Sequence, residues 1–389
     1  MKVIVCFGTR PEAIKMAPVV HALRLCEGID TRILNTGQHK ELIQPVLDLF
    51  DLRPDASLDV MRNNDSLNKL TSRILIAGSD YLRMETPNAV IVHGDTTTTM
   101  AMAMSSFYLK IPVYHVEAGL RSWDYMNPFP EEMNRSIVGR LASHHFAPTE
   151  GAKQNLMLEG VCEEKITVTG NTVIDALFSV VAKVGNSVSR SDVAEVCARA
   201  KSHGRQIVLV TCHRRENFGA GLINVCSAVK CLAKTERFEF IFVLHMNPLA
   251  RNIAISELSD VRHVEIVEAI DYVDTIKVLK SSRFVLTDSG GLQEEAPALG
   301  IPVLVMRETT ERPEGIVAGV AKLVGTDVDL IINSAMLLSI SDEEHGKMAK
   351  AVNPYGDGKA GEKIADFFRN LTITTFEFNS QLQHPVNWY

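Results

Sequence analysis

Short apolar runs rich in β-branched residues recur along the whole chain, and longer amphipathic stretches separate them. The runs lie at 2–7, 31–36, 88–94, 111–117, 144–149 and 165–170, and then at 205–213, 238–245, 263–268, 282–289, 301–307 and 320–325. The stretches between them have helical periodicity, for example at 11–26, 65–84, 96–109, 219–233 and 271–280. Strands that are apolar on both faces and alternate with helices predict parallel sheets covered on both sides.

The pattern pauses near 170–204 and then resumes. A chain of 389 residues is also too long for one hydrophobic core. We therefore predict an α/β protein with two Rossmann-like domains, residues 1–170 and 171–355, with a hinge at the pause. The cleft between such domains is the expected place for an active site.

Composition argues against several other classes of protein. The net charge is −7 and no basic block occurs, so a nucleic-acid partner is not expected. No apolar run approaches the ~20 residues that a membrane helix needs. The seven cysteines are odd in number and form no CxxC pair, which indicates reduced thiols in a cytosolic protein and no structural metal.

Polar residues cluster where the predicted strands end, which is the ligand-binding edge of an open parallel sheet. After the first strand, Gly8 permits a tight turn, and Arg10 and Lys15 can meet a phosphate there. This turn lacks the GxGxxG pattern of nicotinamide-binding proteins. A solvated helix start with an Arg10–Glu12 pair remains an alternative.

Three carboxylates in the first half follow strands or begin a helix. Asp95 can either cap a helix or point into the cleft. Glu117 ends an apolar strand, where burying an unpaired carboxylate is costly. Glu131 can form a routine helix pair with Arg135. Gathered in one cleft, Asp95, Glu117 and Glu131 would form a set of acids able to move protons.

The second half carries the features of an anion site. His213 stands between a strand and two arginines, which favours an anion contact. The glycine turn, defined as Ser289, Gly290 and Gly291, precedes a helix whose free N–H groups suit a phosphate. Glu294 and Glu295 follow one turn later, where a carboxylate suits the hydroxyls of a ribose. The pattern therefore predicts a nucleoside phosphate, with a simply capped helix as the alternative.

Nine segments together resemble the non-hydrolysing UDP-N-acetylglucosamine 2-epimerases, in order and at similar spacing over about residues 1–369. They lie at 7–18, 93–99, 115–121, 130–135, 170–176, 213–217, 287–297, 309–315 and 353–358. The resemblance implies the glycosyltransferase-B arrangement of the two domains and a homodimer. It also implies that a last helix, 356–370, returns to the first domain. The tail at 371–389 lies beyond the family core, and the alternatives for its segment 372–378 are an added strand, a contact with a partner or a disordered terminus.

The family interconverts UDP-GlcNAc and UDP-ManNAc by eliminating UDP and adding it back to a 2-acetamidoglucal, without a cofactor or metal. The resemblance implies acid–base or catalytic roles for Asp95, Glu117, Glu131 and His213. The residues implied to bind the UDP-sugar are Arg10, Lys15, Asp95, Glu117, His213, Ser289, Gly290, Gly291, Glu295 and Arg312.

Two features depart from the family pattern. Many bacterial relatives bind an activating second substrate near Gln38 and His39, but the loop at 61–66 lacks a Gln that is usual there. Thr275 stands where an aromatic residue usually stacks on uracil.

The protein is expected to be cytoplasmic. Its expected product supplies ManNAc units for the synthesis of cell-surface polysaccharide. A hydrolysing epimerase, a glycosyltransferase of the same fold and a non-catalytic nucleotide-sugar-binding regulator remain alternatives.

Overall fold

The structure is a computed structural model that describes residues 1–38, 40–62, 66–185 and 188–382, without the side chains of 40–42, 215 and 373–382. The chain divides into two compact units. The first comprises Met1–Ala176 and Gly356–Tyr389, and the second comprises Leu177–Tyr355.

The described part of the first unit contains one sheet of parallel strands in the order β3-β2-β1-β4-β5-β6-β7. The strands are β1 Lys2–Phe7, β2 Asp30–Asn35, β3 Ala56–Ser57, β4 Ala89–His93, β5 Val113–Val116, β6 His144–Ala147 and β7 Ile166–Val168. The helices are α1 Arg10–Arg24, α2 Lys40–Leu49, α3 Leu67–Glu85, α4 Thr97–Tyr108, α5 Glu131–Leu141, α6 Glu150–Leu158, α7 Thr172–Lys183, which continues into the second unit, and α16 Ala360–Leu382, with a 3-10 turn at Glu163–Lys165.

The second unit also contains a parallel sheet, in the order β10-β9-β8-β11-β12-β13. Its strands are β8 Gln206–Thr211, β9 Phe238–Val243, β10 Val264–Val267, β11 Ser282–Thr287, β12 Val303–Val305 and β13 Ala321–Leu323. Its helices are α8 Ser191–Ser202, α9 Ala220–Ala233, α10 Pro248–Leu258, α11 Tyr272–Ser281, α12 Gly290–Ala298, α13 Pro313–Val317, α14 Val328–Ile340 and α15 Asp342–Ala349, with a 3-10 turn at Arg215–Asn217.

Both sheets are doubly wound, and each has a point where the strand order reverses. In the first sheet this point lies between β1 and β4, and in the second it lies between β8 and β11. The loops that follow these strands meet at the carboxyl edge, where doubly wound sheets bind their ligands. Each unit therefore has one edge that is suited to hold a ligand.

The core of each unit lies on both faces of its sheet. Val3, Ile4 and Val5 are consecutive and fully buried in β1, as expected for a central parallel strand. Helix α16 closes one side of the first unit, where the fully buried ring of Phe368 lies 4.6 Å from that of Tyr114, measured between ring centroids. The last helix of the chain therefore completes the core of the first unit.

Each of the twelve predicted apolar runs coincides with all or most of a strand, which confirms the predicted α/β class with two Rossmann-like domains. The two-residue β3 was not predicted. The predicted pause contains the helices α7 and α8. The segment 372–378 is helical because α16 continues to Leu382, so the strand alternative for this segment is wrong. Among the described residues, no helix is both long enough and apolar enough to cross a membrane.

Candidate active site

The turn between β1 and α1 is built around Glu12. Thr9 caps the helix by accepting a hydrogen bond from the Glu12 amide, and Glu12 Oε2 accepts from the amides of Thr9 at 2.8 Å and Gly8 at 3.1 Å. This is a capping box, which satisfies donors at both ends of the first turn. Glu12 is therefore an internal support of the turn and not a surface partner of Arg10.

The other oxygen of Glu12 reaches the turn between β4 and α4. Glu12 Oε1 accepts hydrogen bonds from the hydroxyls of Thr96 at 2.7 Å and Thr99 at 3.2 Å. Thr96, rather than Asp95, caps α4 by accepting from the Thr99 amide. The capping alternative for Asp95 is therefore wrong, and its side chain is available for other contacts.

A cavity of about 410 Å³ opens at this edge of the first unit. Four residues predicted for catalysis or UDP-sugar binding line it, namely Lys15, Asp95, Glu117 and Glu131. Arg10 is exposed at the start of α1 and is not among the lining residues. Glu12 also lines the cavity, so the fold gathers four carboxylates and one ammonium group around a single space.

Glu117 is buried and holds an uncommon backbone conformation, with φ of +59°. Its Oε2 atom accepts hydrogen bonds from Lys15 Nζ and, at 2.9 Å, from Asn171 Nδ2. His93 Nε2 lies 3.6 Å from the same oxygen. Burial raises the pKa of Glu117, but the charge of Lys15 and the neighbouring His93 outweigh it and hold the pKa well below its ordinary value. Glu117 is therefore a carboxylate at neutral pH.

Asp95 is held by an ion pair rather than left free. Arg135 Nη2 donates to Asp95 Oδ2 at 2.5 Å, and Asn134 Nδ2 donates to the Asp95 carbonyl at 2.9 Å. Arg135 also lies 3.3 Å from Glu132, which is fully buried. Arg135 thus bridges Asp95 and Glu132 instead of forming the predicted alternative pair with Glu131.

In the second unit, Asp288 fixes the loop that follows β8. This fully buried carboxylate accepts hydrogen bonds at 2.9 Å from the amides of His213 and Arg214 and from Asn217 Nδ2. Asp288 itself follows β11, the neighbouring strand. Asp288 therefore links the loops that follow β8 and β11, the two strands at the switch point, and its contact with the His213 amide lies in this link.

His213 is half-buried, and its buried Nδ1 atom has no hydrogen-bond partner among the described residues. Its ring centroid lies 5.3 Å from that of His245. Burial lowers the pKa of His213 and His245 adds to this effect, although the charge of Asp288 opposes them. A neutral ring with an unpartnered nitrogen suits a hydrogen bond to a ligand.

The glycine turn lies at the start of α12. Ser289 is the N-cap residue, but its side chain makes no capping hydrogen bond. The guanidinium group of Arg312 packs against the turn, since a Cβ atom added to Gly290 would lie 2.7 Å from Arg312 Nη1. A glycine is required there, and a cation stands beside the helix N-terminus, as an anion site needs.

The two glutamates of α12 have different partners. Glu294 is buried and accepts from Arg312 Nε at 2.5 Å. Glu295 accepts from the hydroxyl of Tyr272 at 2.8 Å, and its Oε2 atom would lie 3.7 Å from a Cβ on Gly291. Glu294 therefore orients the arginine, and Glu295 stands next to the glycine turn.

Glu311 forms ion pairs with three arginines at the carboxyl edge of the second sheet. It lies 3.0 Å from Arg214 Nη2 and 3.9 Å from Arg312 Nη1, and it also pairs with Arg307. Burial raises the pKa of Glu311, but Arg312, Arg214 and Arg307 outweigh it and bring the pKa to about 2. Glu311 therefore keeps these cations in place without being a contact for an anion.

The predicted regulatory pair falls partly outside the described residues, since His39 is among those not described. Gln38 lines the cavity of the first unit, and its Oε1 atom accepts from Thr98 Oγ1 at 3.0 Å. The hydroxyl of Thr275 donates to the carbonyl of Asp271, one helical turn back, at 2.6 Å.

Sequence reasoning missed the residues that support the site. Thr9 and Glu12 show the capping-box spacing, so that contact was detectable in the sequence. His93 and Asn171 contact Glu117 from distant segments, and nothing local distinguishes them. The residues whose supporting role was missed are Glu12, His93, Glu132, Arg135, Asn171, Tyr272, Asp288, Glu294 and Glu311.

Comparison with known proteins agrees with this geometry. The family model for UDP-N-acetylglucosamine 2-epimerase matches residues 21–369. The chain belongs to the UDP-N-acetylglucosamine 2-epimerase family. It is 44% identical to the Yersinia pestis UDP-N-acetylglucosamine 2-epimerase over 376 residues, which cover 96% of this chain and all of that protein. The Escherichia coli K12 enzyme has the same identity and coverage.

Solved structures give the same result. The chain resembles the Neisseria meningitidis UDP-GlcNAc 2-epimerase bound to UDP-GlcNAc with a TM-score of 0.87 and 43% identity, covering 95% of this chain and all of that one. The family predicted from the nine segments is therefore confirmed, and with it an enzyme of the UDP-N-acetylglucosamine 2-epimerase type.

Proposed function

We propose that this member of the family is a non-hydrolysing enzyme that interconverts UDP-GlcNAc and UDP-ManNAc by elimination and re-addition of UDP. The observation that carries the proposal is the cavity of the first unit, where Asp95, Glu117 and Glu131 surround one space beside Lys15. Three carboxylates in separate electrostatic surroundings allow one to act as a base while another acts as an acid.

The chemistry explains why such a set of acids is useful. The C2 hydrogen of the sugar is not next to a carbonyl group, so its direct removal is very difficult. When UDP leaves from C1, positive charge develops there and the C2 proton becomes removable. The products of this step are UDP and a 2-acetamidoglucal. UDP then adds back to C1 while a proton reaches C2 from the opposite face, and no redox step is needed.

We assign the diphosphate to the second unit. The glycine turn offers helix N-terminal amides, Arg312 stands beside it, and His213 carries an unpartnered ring nitrogen. Glu295, next to Gly291, is assigned to the ribose hydroxyls. The leaving diphosphate undergoes the largest change in charge, so preorganised donors at this edge are expected to supply much of the rate acceleration. The Neisseria meningitidis relative bound to UDP-GlcNAc supports this class of ligand.

For the remaining assignments, Arg10 is proposed as a diphosphate contact and Lys15 as a supporting one. Lys15 already pairs with Glu117, so its first effect is to keep that residue ionised. We further propose a cytoplasmic homodimer whose product supplies ManNAc units for cell-surface polysaccharide. We also propose Gln38 as part of a regulatory contact, since it lines the same cavity.

One experiment tests the reaction. UDP-GlcNAc is incubated with the protein in deuterated water, and the recovered sugars are analysed by NMR and mass spectrometry. We expect UDP-ManNAc and UDP-GlcNAc that both carry deuterium at C2. Free ManNAc with UDP would reject the non-hydrolysing type, and epimerisation without deuterium at C2 would reject the elimination mechanism. Binding without any product would favour a non-catalytic regulator.

A further inference from the structure

His93 is a buried histidine that none of the assignments above uses. It ends β4, its exposure is 3%, and it lines the cavity of the first unit. Neither ring nitrogen has a hydrogen-bond partner among the described residues. A buried polar group without a partner costs free energy, so this ring calls for an explanation beyond packing.

The nearest acidic atom to this ring is Oε2 of Glu117, 3.6 Å from His93 Nε2. That distance is too long for a hydrogen bond but close enough for one to form with a small side-chain movement. Lys15 and Asn171 donate to the same oxygen. These three contacts all fall on Oε2, so we assign Oε1 to the ligand in the cavity.

This arrangement creates a difficulty for Glu117 as an acid–base group. Lys15 stabilises the carboxylate, so a proton held by Glu117 is in an unfavourable place. An imidazole can accept and release a proton near neutral pH and can stand beside a carboxylate as a cation. A proton would therefore be better held on the neighbouring ring than on the carboxyl group.

We propose that His93 is the proton-exchanging partner of Glu117. In the direction in which Glu117 removes the C2 proton, Oε1 takes it as the C1–O bond to UDP breaks and its electron pair leaves with UDP. The carboxyl group then rotates about its Cγ–Cδ bond, so that the protonated oxygen faces His93 and gives that same proton to Nε2, which leaves a carboxylate beside an imidazolium. In the reverse direction the imidazolium returns the proton to that oxygen, the carboxyl group rotates back toward the sugar, and its O–H protonates C2.

His93 acts through Glu117 and is in that sense a positioning residue, and this inference rests on the proposed elimination reaction. Charged and titratable groups of several elements line the same cavity as the ring or act on it electrostatically. They are Glu12 and Lys15 on α1, Asp95 after β4, His115 on β5, Glu117 after β5 and Glu131 on α5.

The test begins with His93→Gln, in which the amide nitrogen of glutamine can still donate a hydrogen bond to Glu117 but cannot carry a proton. We expect kcat for epimerisation and the rate of C2 deuterium exchange to fall at least about 100-fold, with KM changed less than about 3-fold. The control is His21→Gln, because His21 lies on α1 outside the cavity and contacts the carbonyl of Phe50. This control is expected to keep wild-type exchange.

A second variant, His93→Ala, separates proton transfer from space filling. Free imidazole is expected to restore exchange in this variant, and pyrazole, a ring of the same size that is much less basic, is expected not to. Thermal melting and UDP binding are measured for each variant, so that misfolding is recognised.

Two outcomes would overturn the proposal: wild-type exchange in His93→Gln, or equal rescue of His93→Ala by both rings. Either would leave His93 as a structural residue only. Absence of C2 exchange in the wild-type protein is a different result, since it would reject the elimination reaction itself.

Discussion

Glu117 combines three features that are each unfavourable in isolation. Its backbone lies in the left-handed region, which costs a non-glycine residue roughly 1–2 kcal/mol. Its side chain is buried, and its carboxylate is charged. Such strain is characteristic of functional positions and persists only where the surroundings enforce it. Here Lys15 and Asn171 supply the compensating contacts.

At this residue we predict that Glu117→Gln lowers C2 exchange at least about 100-fold while UDP still binds. The amide has nearly the same size but cannot accept the proton. The measurement is deuterium incorporation, with UDP affinity from calorimetry. The matched control is Glu159→Gln, which weakens the ion pair with Arg121 at 2.7 Å, outside the cavity. Equal exchange in both variants would remove Glu117 from the mechanism.

Gly8 lies where the fold leaves no room for a side chain. A Cβ atom there would lie 2.1 Å from Thr36 Oγ1 and 2.4 Å from Thr98 Oγ1. We expect Gly8→Ala to lower the free energy of unfolding by about 1–3 kcal/mol in urea titrations. Gly346→Ala is the control, because nothing lies within 4 Å of its added Cβ atom and it sits inside a helix. That change is expected to stabilise by roughly 0.5–1 kcal/mol.

At the scale of elements, the two sheets use carboxylates to join the loops of neighbouring strands. Glu12 joins the loops after β1 and β4, and Asp288 joins those after β8 and β11. Each buried acid stands at the point where its sheet reverses strand order. The residues proposed to face the ligand therefore lie on loops whose backbone is held in place by hydrogen bonds to a buried carboxylate.

For Asp288 we predict that replacement by Asn lowers the free energy of unfolding by about 2–3 kcal/mol and weakens UDP binding. Asparagine keeps one acceptor oxygen and replaces the other by an NH2 group, so at least one of the donors at His213, Arg214 and Asn217 would face N–H groups instead of an acceptor. Asp271→Asn is the control, since Asp271 caps α11 and asparagine caps equally well. Urea unfolding and UDP titration measure both effects. Unchanged UDP affinity in Asp288→Asn would show that the loop keeps its shape without this contact.

At the scale of the whole molecule, stability is expected to depend on pH through three buried histidines of the first sheet. Burial is the main cause that lowers the pKa of His115 to about 3 and those of His144 and His145 to about 4. The unfolded chain binds these protons below about pH 6.5, but the folded chain does not. The contribution of these three histidines to the free energy of unfolding is therefore fully present above about pH 6.5, and it is lost as the pH drops toward 4.

The expected loss is about 2 kcal/mol per histidine by pH 5. Urea unfolding at pH 7.5, 6.0 and 5.0 measures the slope, and His145→Gln is expected to make it shallower by about a third. Equal slopes for the variant and the wild-type protein would show that His145 does not contribute to the acid sensitivity.

Much of the fold was predictable because buried parallel strands are nearly continuous apolar runs that stand out in a sequence. The two-residue β3 is too short to give such a signal, and the β-branched residues near 372–375 favoured a strand where α16 continues. The carboxylates of the site were predictable as acids at strand ends. The supporting role of other acids was not predictable, because their partners lie far away in the sequence. Asp288 and His213, for example, are 75 residues apart.

Helix α16 follows the second unit in the sequence but packs on the first unit. The rings of Phe367 and Phe368 pack on Tyr114 and Phe146, which belong to strands made much earlier. While the ribosome is still translating the second unit, the first unit lacks this cover and exposes aromatic surface. The first unit therefore reaches its native state only after α16 has been synthesised. Until then we expect its exposed aromatic surface to bind chaperones.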